Sequence, residues 1–275
     1  MKLATIRTSD GTRAARLTAD GYVDLGYTDV GDLLTHDDWT GRAASDGEVH
    51  PPRGADLAPV VTRPGKVLCV GLNYRTHILE MGRELPEHPT LFAKFVESLI
   101  GARDHIELPP ESDTVDWEAE LAVVIGRPVR RASTEEAEAA IAGFTVLNDV
   151  SMRDWQFRTK EWLQGKTFEA STPVGPVLVT PDELPGGVRP AASISCDING
   201  EVMQKADTSD LVFDPVDLVR YASTILTLRP GDIIATGTPG GVGHARTPAR
   251  YLVDGDTVVT EIVGIGRLDN TARAV

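Results

Sequence analysis

Three carboxylates set two residues apart are the first feature of this sequence able to do chemistry. In Val115-Asp-Trp-Glu-Ala-Glu-Leu-Ala-Val-Val-Ile-Gly126, Asp116, Glu118 and Glu120 alternate with other residues and run into an apolar stretch. Read as one strand, the segment puts all three on a single face. Like charges so placed repel, and burying them is costly unless something compensates. A cation would do so, and an all-oxygen ligand set favours Mg²⁺, Mn²⁺ or Ca²⁺ over zinc. Asp149, at the end of the apolar run in Thr145-Val-Leu-Asn-Asp-Val-Ser151, is the best candidate for a further carboxylate. The alternative is a solvated acidic face on an edge strand.

A second group lies in Gly71-Leu-Asn-Tyr-Arg-Thr-His-Ile-Leu-Glu80. Asn73 could cap a short helix, placing His77 and Glu80 three residues apart on one face, within hydrogen-bonding reach. A carboxylate on one imidazole nitrogen leaves the other as a general base near neutral pH. An incidental surface contact is the competing reading. Thr236-Gly-Thr-Pro-Gly-Gly-Val-Gly243 lacks the Gly-Lys-Ser/Thr of a Walker loop and opens no dinucleotide-binding helix. Its better functional reading is a turn whose N–H groups, at Gly237 and its neighbours, and whose Thr238 hydroxyl receive a carboxylate or enolate oxygen. A tight turn between strands is the alternative. Arg153 and Lys166 follow Asp149 in the chain. Beside a metal they would suit an anionic substrate, the arginine gripping a carboxylate and the lysine a developing oxyanion. Ion pairs with Asp154 or Glu161 compete with that reading. Lys94, among the aromatics of Phe92-Ala-Lys-Phe95, has no evident partner in the sequence.

The elements that must position these groups are mainly strands. Val67 to Val70, Leu121 to Ile125, Phe144 to Leu147, Val174 to Val179, Ile233 to Ala235 and Thr257 to Ile265 read as strands. Ser193 to Met203 carries Asn199-Gly200, a strong hairpin signal. Helices are expected at Thr134 to Ala142, capped by Ser133 or Thr134, and at Pro215 to Leu226, with Asp214 as N-cap and Pro215 at the first position. Leu3 to Arg7 reads as a strand, Arg13 to Leu25 as a hairpin turning at Asp20-Gly21, and Asp29 to Asp38 as a helix. The loop from Gly41 to Gly54 is rich in turn formers, so the chain divides into a small N-terminal unit, 1–63, and a body, 64–275. The fold class is α+β, mainly β, without regular βαβ alternation.

Composition narrows the partners. The 275 residues carry 27 basic and 41 acidic side chains, a net charge of 27 − 41 = −14. An acidic surface disfavours nucleic acid and anionic membrane as partners. Cys69 and Cys196, both in apolar runs, can form neither a disulfide framework nor a thiolate zinc site. No segment approaches the ~20 apolar residues of a membrane span, and a cytoplasmic setting is the default expectation.

In order and spacing, these pieces resemble the fumarylacetoacetate hydrolase family, in its branch of smaller, acylpyruvate hydrolase-like members. The resemblance rests on Gly71-Leu-Asn-Tyr-Arg-Thr-His77 with Glu80, Phe92-Ala-Lys94, Asp116-Trp-Glu-Ala-Glu-Leu121, Asn148-Asp149 with Arg153-Asp-Trp-Gln156, Gly165-Lys-Thr-Phe168, and Pro230-Gly-Asp232 through Thr236-Gly-Thr-Pro239. It implies a mixed β-roll body, a homodimer, and Glu118, Glu120 and Asp149 as ligands of Mg²⁺ or Mn²⁺, with Asp116 outside the ligand set. It implies His77 and Glu80 as a water-activating dyad and Lys166 as the lysine that polarises substrate. Arg153, Gln156 and the Gly237-Thr238 loop become substrate contacts. The implied reaction is hydrolysis of a C–C bond in a 2,4-diketo acid of the acylpyruvate or fumarylpyruvate type, a small anionic 2-oxo acid, with pyruvate enolate as leaving group. Oxaloacetate decarboxylation, or isomerisation of 2-hydroxyhepta-2,4-diene-1,7-dioate, at the same metal is the alternative. A catalytically idle binding domain is a third reading. One departure is visible: Glu97-Ser98 follows Lys94 where many members carry Ser-Ser, an added charge expected to alter specificity.

Overall fold

The computed structural model describes residues 1–80 and 82–275. Where the sequence is continuously apolar, both faces of a strand are covered. Ala119–Ile125 and Ile141–Asn148 are buried at every position and pair antiparallel near the middle of an eleven-stranded mixed sheet. On one side of this pair come Ile233–Ala235, Val67–Gly71 and the edge strand Thr90–Lys94. On the other side Thr172–Val179 pairs with Ile141–Asn148 and also with Lys2–Thr8. The sheet then continues through Gly11–Leu17, Tyr22–Asp24 and Val49–His50, so the N-terminal strands extend the central sheet.

A second, five-stranded sheet runs in the order Glu201–Asp207, Ser193–Ile198, Thr257–Ile262, Gly266–Ala274, His105–Leu108. Period-2 alternation makes it one-sided, with Ile194, Cys196 and Ile198 buried. These residues share one apolar cluster with Leu121, Val123, Phe144 and Val146 of the central strands. The intervening Ala122, Val124 and Leu147 face a second cluster with Val30, Leu33 and Leu34. The molecule is mostly sheet with few helices, as the sequence predicts.

Local signals account for several elements. The helix Thr134–Ala140 opens on a Ser133–Glu136 capping box. Pro215–Ile225 opens with the Asp214 carboxylate accepting from the N–H groups of Val216 and Asp217. Asn199 and Gly200 both adopt positive φ, +54° and +80°, joining two strands in the expected tight hairpin. Other expectations are corrected. The acidic segment is not one strand: Val115–Asp116 pairs with Ser151–Met152, and the main strand starts at Ala119. Asn73 does not cap the helix Arg75–Glu80. Its amide donates to the Phe213 and Thr236 carbonyls and accepts from Phe213 N–H, tying that helix to the glycine loop. The segment expected as a helix from Asp29 to Asp38 forms only Val30–Leu34, with a second short helix at Trp39–Ala43. Among the described residues, no helix is long and apolar enough to cross a membrane, and both cysteines are free and buried.

Candidate active site

Glu118, Glu120 and Asp149 converge where the central pair of strands begins and ends, each offering an oxygen within 4.8 Å of the others. The backbone enforces this. Glu118 N–H donates to Asn148 Oδ1 at 2.9 Å and Asp149 N–H donates to the Glu118 carbonyl at 2.8 Å, so the two segments are locked in register. All three side chains are buried. Asp116 stands apart from the triad. It accepts from the Gly243 and His244 N–H groups and from the Arg153 guanidinium at 2.8 Å. Its separation follows from the break in the strand at Trp117 and Glu118.

Three buried cations surround the carboxylates. Lys94 donates to Asp149 Oδ1 at 2.7 Å, and Lys166 bridges Asp149 Oδ2 and Glu118 Oε2 at 2.8 Å each. Arg153 bonds Asp116 on one side and Glu118 Oε1, at 2.7 Å, on the other, and also donates to Gln156 Oε1. Its partners are therefore the site's own carboxylates. Asp154 instead accepts from Ser112 and Thr114. The helical turns carrying Arg153 and Lys166 touch so closely that a Cβ at Gly165 would lie 2.4 Å from the Gln156 nitrogen, which is why glycine stands there.

Burial pushes the Asp149 carboxyl up, but Lys166 and Lys94 outweigh it and bring it to about 2. For Lys166, burial opposes the charge, while Asp149 and Glu118 more than restore it. Glu120 is different. Burial, then the charges of Asp149 and Glu118, push it well above the usual carboxylate range. Its Oε2 accepts from Gly237 N–H at 2.8 Å, and its Oε1 is buried with no partner among the described residues. Counting Asp116, four carboxylates face three cations. An orphaned oxygen, an all-oxygen set and one surplus negative charge fit a hard divalent cation.

His77 and Glu80 line an open cavity of about 360 Å³ with Tyr74, Lys205, Asp210 and the turn Pro239–Gly241. The same loop holds Glu120 through Gly237, whose φ is +101°. His77 packs on it: a Cβ at Gly240 would stand 2.9 Å from His77 Nδ1. No hydrogen bond or ion pair joins His77 to Glu80, which lies exposed at the end of its short helix. Burial, only partly countered by Glu80 and Glu118, lowers the imidazole below its ordinary value, so the ring is neutral near pH 7. Thr238 accepts from Gln204 at 2.8 Å, leaving its hydroxyl proton to donate. Glu97 is exposed and Ser98 turns back to the Phe95 carbonyl, so neither lines the cavity.

Three contributors were not placed by sequence. Lys94 was visible as a charge inside an aromatic strand, a position that demands a buried partner. Gln204 reaches both the Ala119 N–H and the glycine loop. Tyr74 has a buried hydroxyl without a partner at the cavity wall, and burial raises its pKa, so it remains a donor.

A mostly β fold with a buried carboxylate triad, lysines at its edge and an open cavity beside it has the form of a small-molecule enzyme centred on a divalent cation. Residues 66–273 match the family described as fumarylacetoacetate (FAA) hydrolase C-terminal, and the chain belongs to that family. It is similar to the rat protein named oxaloacetate tautomerase Fahd2a, mitochondrial, with 49% identity covering 78% of this chain and 68% of that one. The human oxaloacetate tautomerase FAHD2A, mitochondrial, is 48% identical over the same shares. Among solved structures, a fumarylacetoacetate hydrolase from Exiguobacterium antarcticum superposes with TM-score 0.87 at 31% identity, covering 100% of both chains. A 2-hydroxyhepta-2,4-diene-1,7-dioate isomerase from Mycobacterium marinum gives 0.80 at 32% identity, covering 100% of this chain and 98% of that one. Hydrolysis is thus one of several activities named among its relatives, and the mitochondrial names lend no support to a cytoplasmic setting.

Proposed function

We propose that this protein interconverts the keto and enol forms of a 2-oxo dicarboxylic acid of the oxaloacetate type. The observation that carries the reading is the pairing of the Glu118–Glu120–Asp149 triad with a neutral, unpaired His77 across the glycine loop. Enolisation needs a base for a carbon-bound proton and positive charge for the oxygen that gains electron density; it needs no activated water. The names of the tautomerase and isomerase relatives support the same reading over acylpyruvate hydrolysis.

Glu118, Glu120 and Asp149 would hold the cation, Mg²⁺ or Mn²⁺. When bound, it would supply Lewis-acid polarisation of the 2-oxo group. His77 takes a proton from C3 of the substrate, the C3–H electron pair forms the C2–C3 double bond, the C2=O π pair moves to the 2-oxo oxygen, and that oxygen takes up a proton from solvent as the His77 imidazolium returns its own to solvent. Lys166 sets positive charge beside that oxygen and, with Lys94, keeps Asp149 ionised. Arg153 positions Glu118 by holding it against Asp116, and Gln156 steadies the arginine. Gly237 holds Glu120 and Thr238 offers a hydroxyl proton from the same loop against which His77 packs. The test follows the ultraviolet absorbance of enol-oxaloacetate with Mg²⁺ and with EDTA. The proposal expects Mg²⁺-dependent decay of the enol well above the buffer rate. A protein that leaves enol decay at the buffer rate yet hydrolyses acetylpyruvate would return the assignment to hydrolysis.

A further inference from the structure

Taking the proposed enolisation of a 2-oxo dicarboxylate as its basis, we infer that Lys205 determines specificity by binding the distal carboxylate of the substrate. At the carboxylate centre, Lys94, Lys166 and Arg153 are each bonded to acids of the protein. With four carboxylates, three cations and a divalent ion, the local sum is −4 + 3 + 2 = +1, enough for one substrate carboxylate. A dicarboxylate brings a second, and an unpaired anion in a half-enclosed site binds poorly.

Lys205 is the exposed basic side chain among the described residues that line the cavity. It lines the cavity together with His77, Glu80, Asp210 and Gly241. Among the described residues it makes no ion pair. Asp210, the nearer acid by sequence, accepts from the Thr76 N–H and hydroxyl at 3.0 Å each. Glu80 is the other acid on this wall, exposed at the end of its short helix, and no ion pair joins it to Lys205. The lysine's backbone is well placed: the strand Glu201–Asp207 pairs Lys205 with Ser195. The preceding residue, Gln204, anchors both Thr238 and Pro239 of the glycine loop. The Met203 carbonyl lies so close to Gly241 that a Cβ there would stand 2.1 Å away. The strand is thus clamped to the loop whose Gly237 N–H holds Glu120, and it sets Lys205 in the same cavity as His77. An ammonium on a four-carbon stem serves as a mobile point charge able to follow a flexible carboxylate.

The test compares wild type with Lys205→Met and Lys205→Arg, all with Mg²⁺. For enolisation of oxaloacetate, Lys205→Met is expected to raise KM about tenfold, with kcat within about twofold, and Lys205→Arg to recover most of the loss. A binding readout separates charge recognition from folding. By calorimetry, 2-hydroxysuccinate, which keeps the distal carboxylate, should bind Lys205→Met about tenfold more weakly. Lactate, which lacks it, should be unaffected. An active wild type with unchanged KM and 2-hydroxysuccinate affinity in Lys205→Met overturns the role of Lys205, as does equal weakening of both ligands. A wild type that does not enolise oxaloacetate overturns the underlying reading instead.

Discussion

Glu120 differs from its two fellow ligands in what its oxygens touch, and that difference is measurable. Glu118 and Asp149 are each neutralised by buried cations, whereas Glu120 has one N–H and an orphaned Oε1. Folding without metal must push the Glu120 carboxyl well above its ordinary range, a cost that Gln does not bear, so in metal-free buffer the variant should gain about 1 kcal/mol, or roughly 2–4 °C in Tm. Mg²⁺ at about 100 times Kd should stabilise wild type by about 2.7 kcal/mol and the variant not at all; calorimetric scans with and without the ion check both. Lys94→Met has the opposite sign. It leaves Asp149 buried with half its compensation, and metal-free urea unfolding should show a loss of about 3–5 kcal/mol. His77 governs the pH profile. Its pKa lies below the ordinary 6.5 because of burial, so the base stays neutral and active through pH 6.5, and kcat/KM falls only on further acidification. In His77→Ala that acidic limb should vanish together with most of the activity, while Mg²⁺ affinity is retained.

At the scale of elements, the glycine loop 236–243 works because strands on both sides hold it. Gly241 has a φ of +102° and faces the Met203 carbonyl at a distance no Cβ tolerates. Gly241→Ala should push the loop away from the strand Glu201–Asp207 and cost about 1–3 kcal/mol of strain. Because Gly237 on the same loop holds Glu120, kcat/KM should fall about tenfold or more, read in the enol assay. How legible these elements were in the sequence depends on whether their cause is local. The helix Pro215–Ile225 and the Asn199-Gly200 hairpin were legible because a cap, a proline and a positive-φ pair lie within a few residues. Glu118, Glu120 and Asp149 were legible because acids at the edge of apolar runs need compensation. The break at Trp117 was not, since it reflects pairing of Val115–Asp116 with Ser151–Met152 far along the chain. Asn73 has the composition of a cap, yet its partners lie 140 and 163 residues away. The final strand, Gly266–Ala274, was not legible because its inward positions include Asn270, a polar residue whose amide N–H groups reach the distant Gly101 and Asp104 carbonyls.

At the scale of the molecule, the division of the chain after residue 63 meets a sheet that crosses it. Lys2 and Leu3 pair with Val179 and Leu178 at the end of Thr172–Val179, which in turn borders Ile141–Asn148, the strand that leads into Asp149. Leu3, Val30, Leu33 and Leu34 are almost fully buried against Ala122, Val124 and Leu178 of the central sheet. Removing residues 1–63 would therefore strip one face of the two central strands and leave the apolar Leu178–Val179 end of Thr172–Val179 as an unpaired edge. Exposed edges of this kind template association between chains. Shortened to 64–275, the protein should unfold at lower temperature, elute as aggregate on size exclusion, and lose Mg²⁺-dependent activity, although every proposed site residue is still present. In the whole chain, fluorescence and far-ultraviolet dichroism should follow one coincident unfolding transition. Two separated transitions, or an active shortened protein, would mean that the N-terminal strands merely adorn a sheet able to hold the carboxylates by itself.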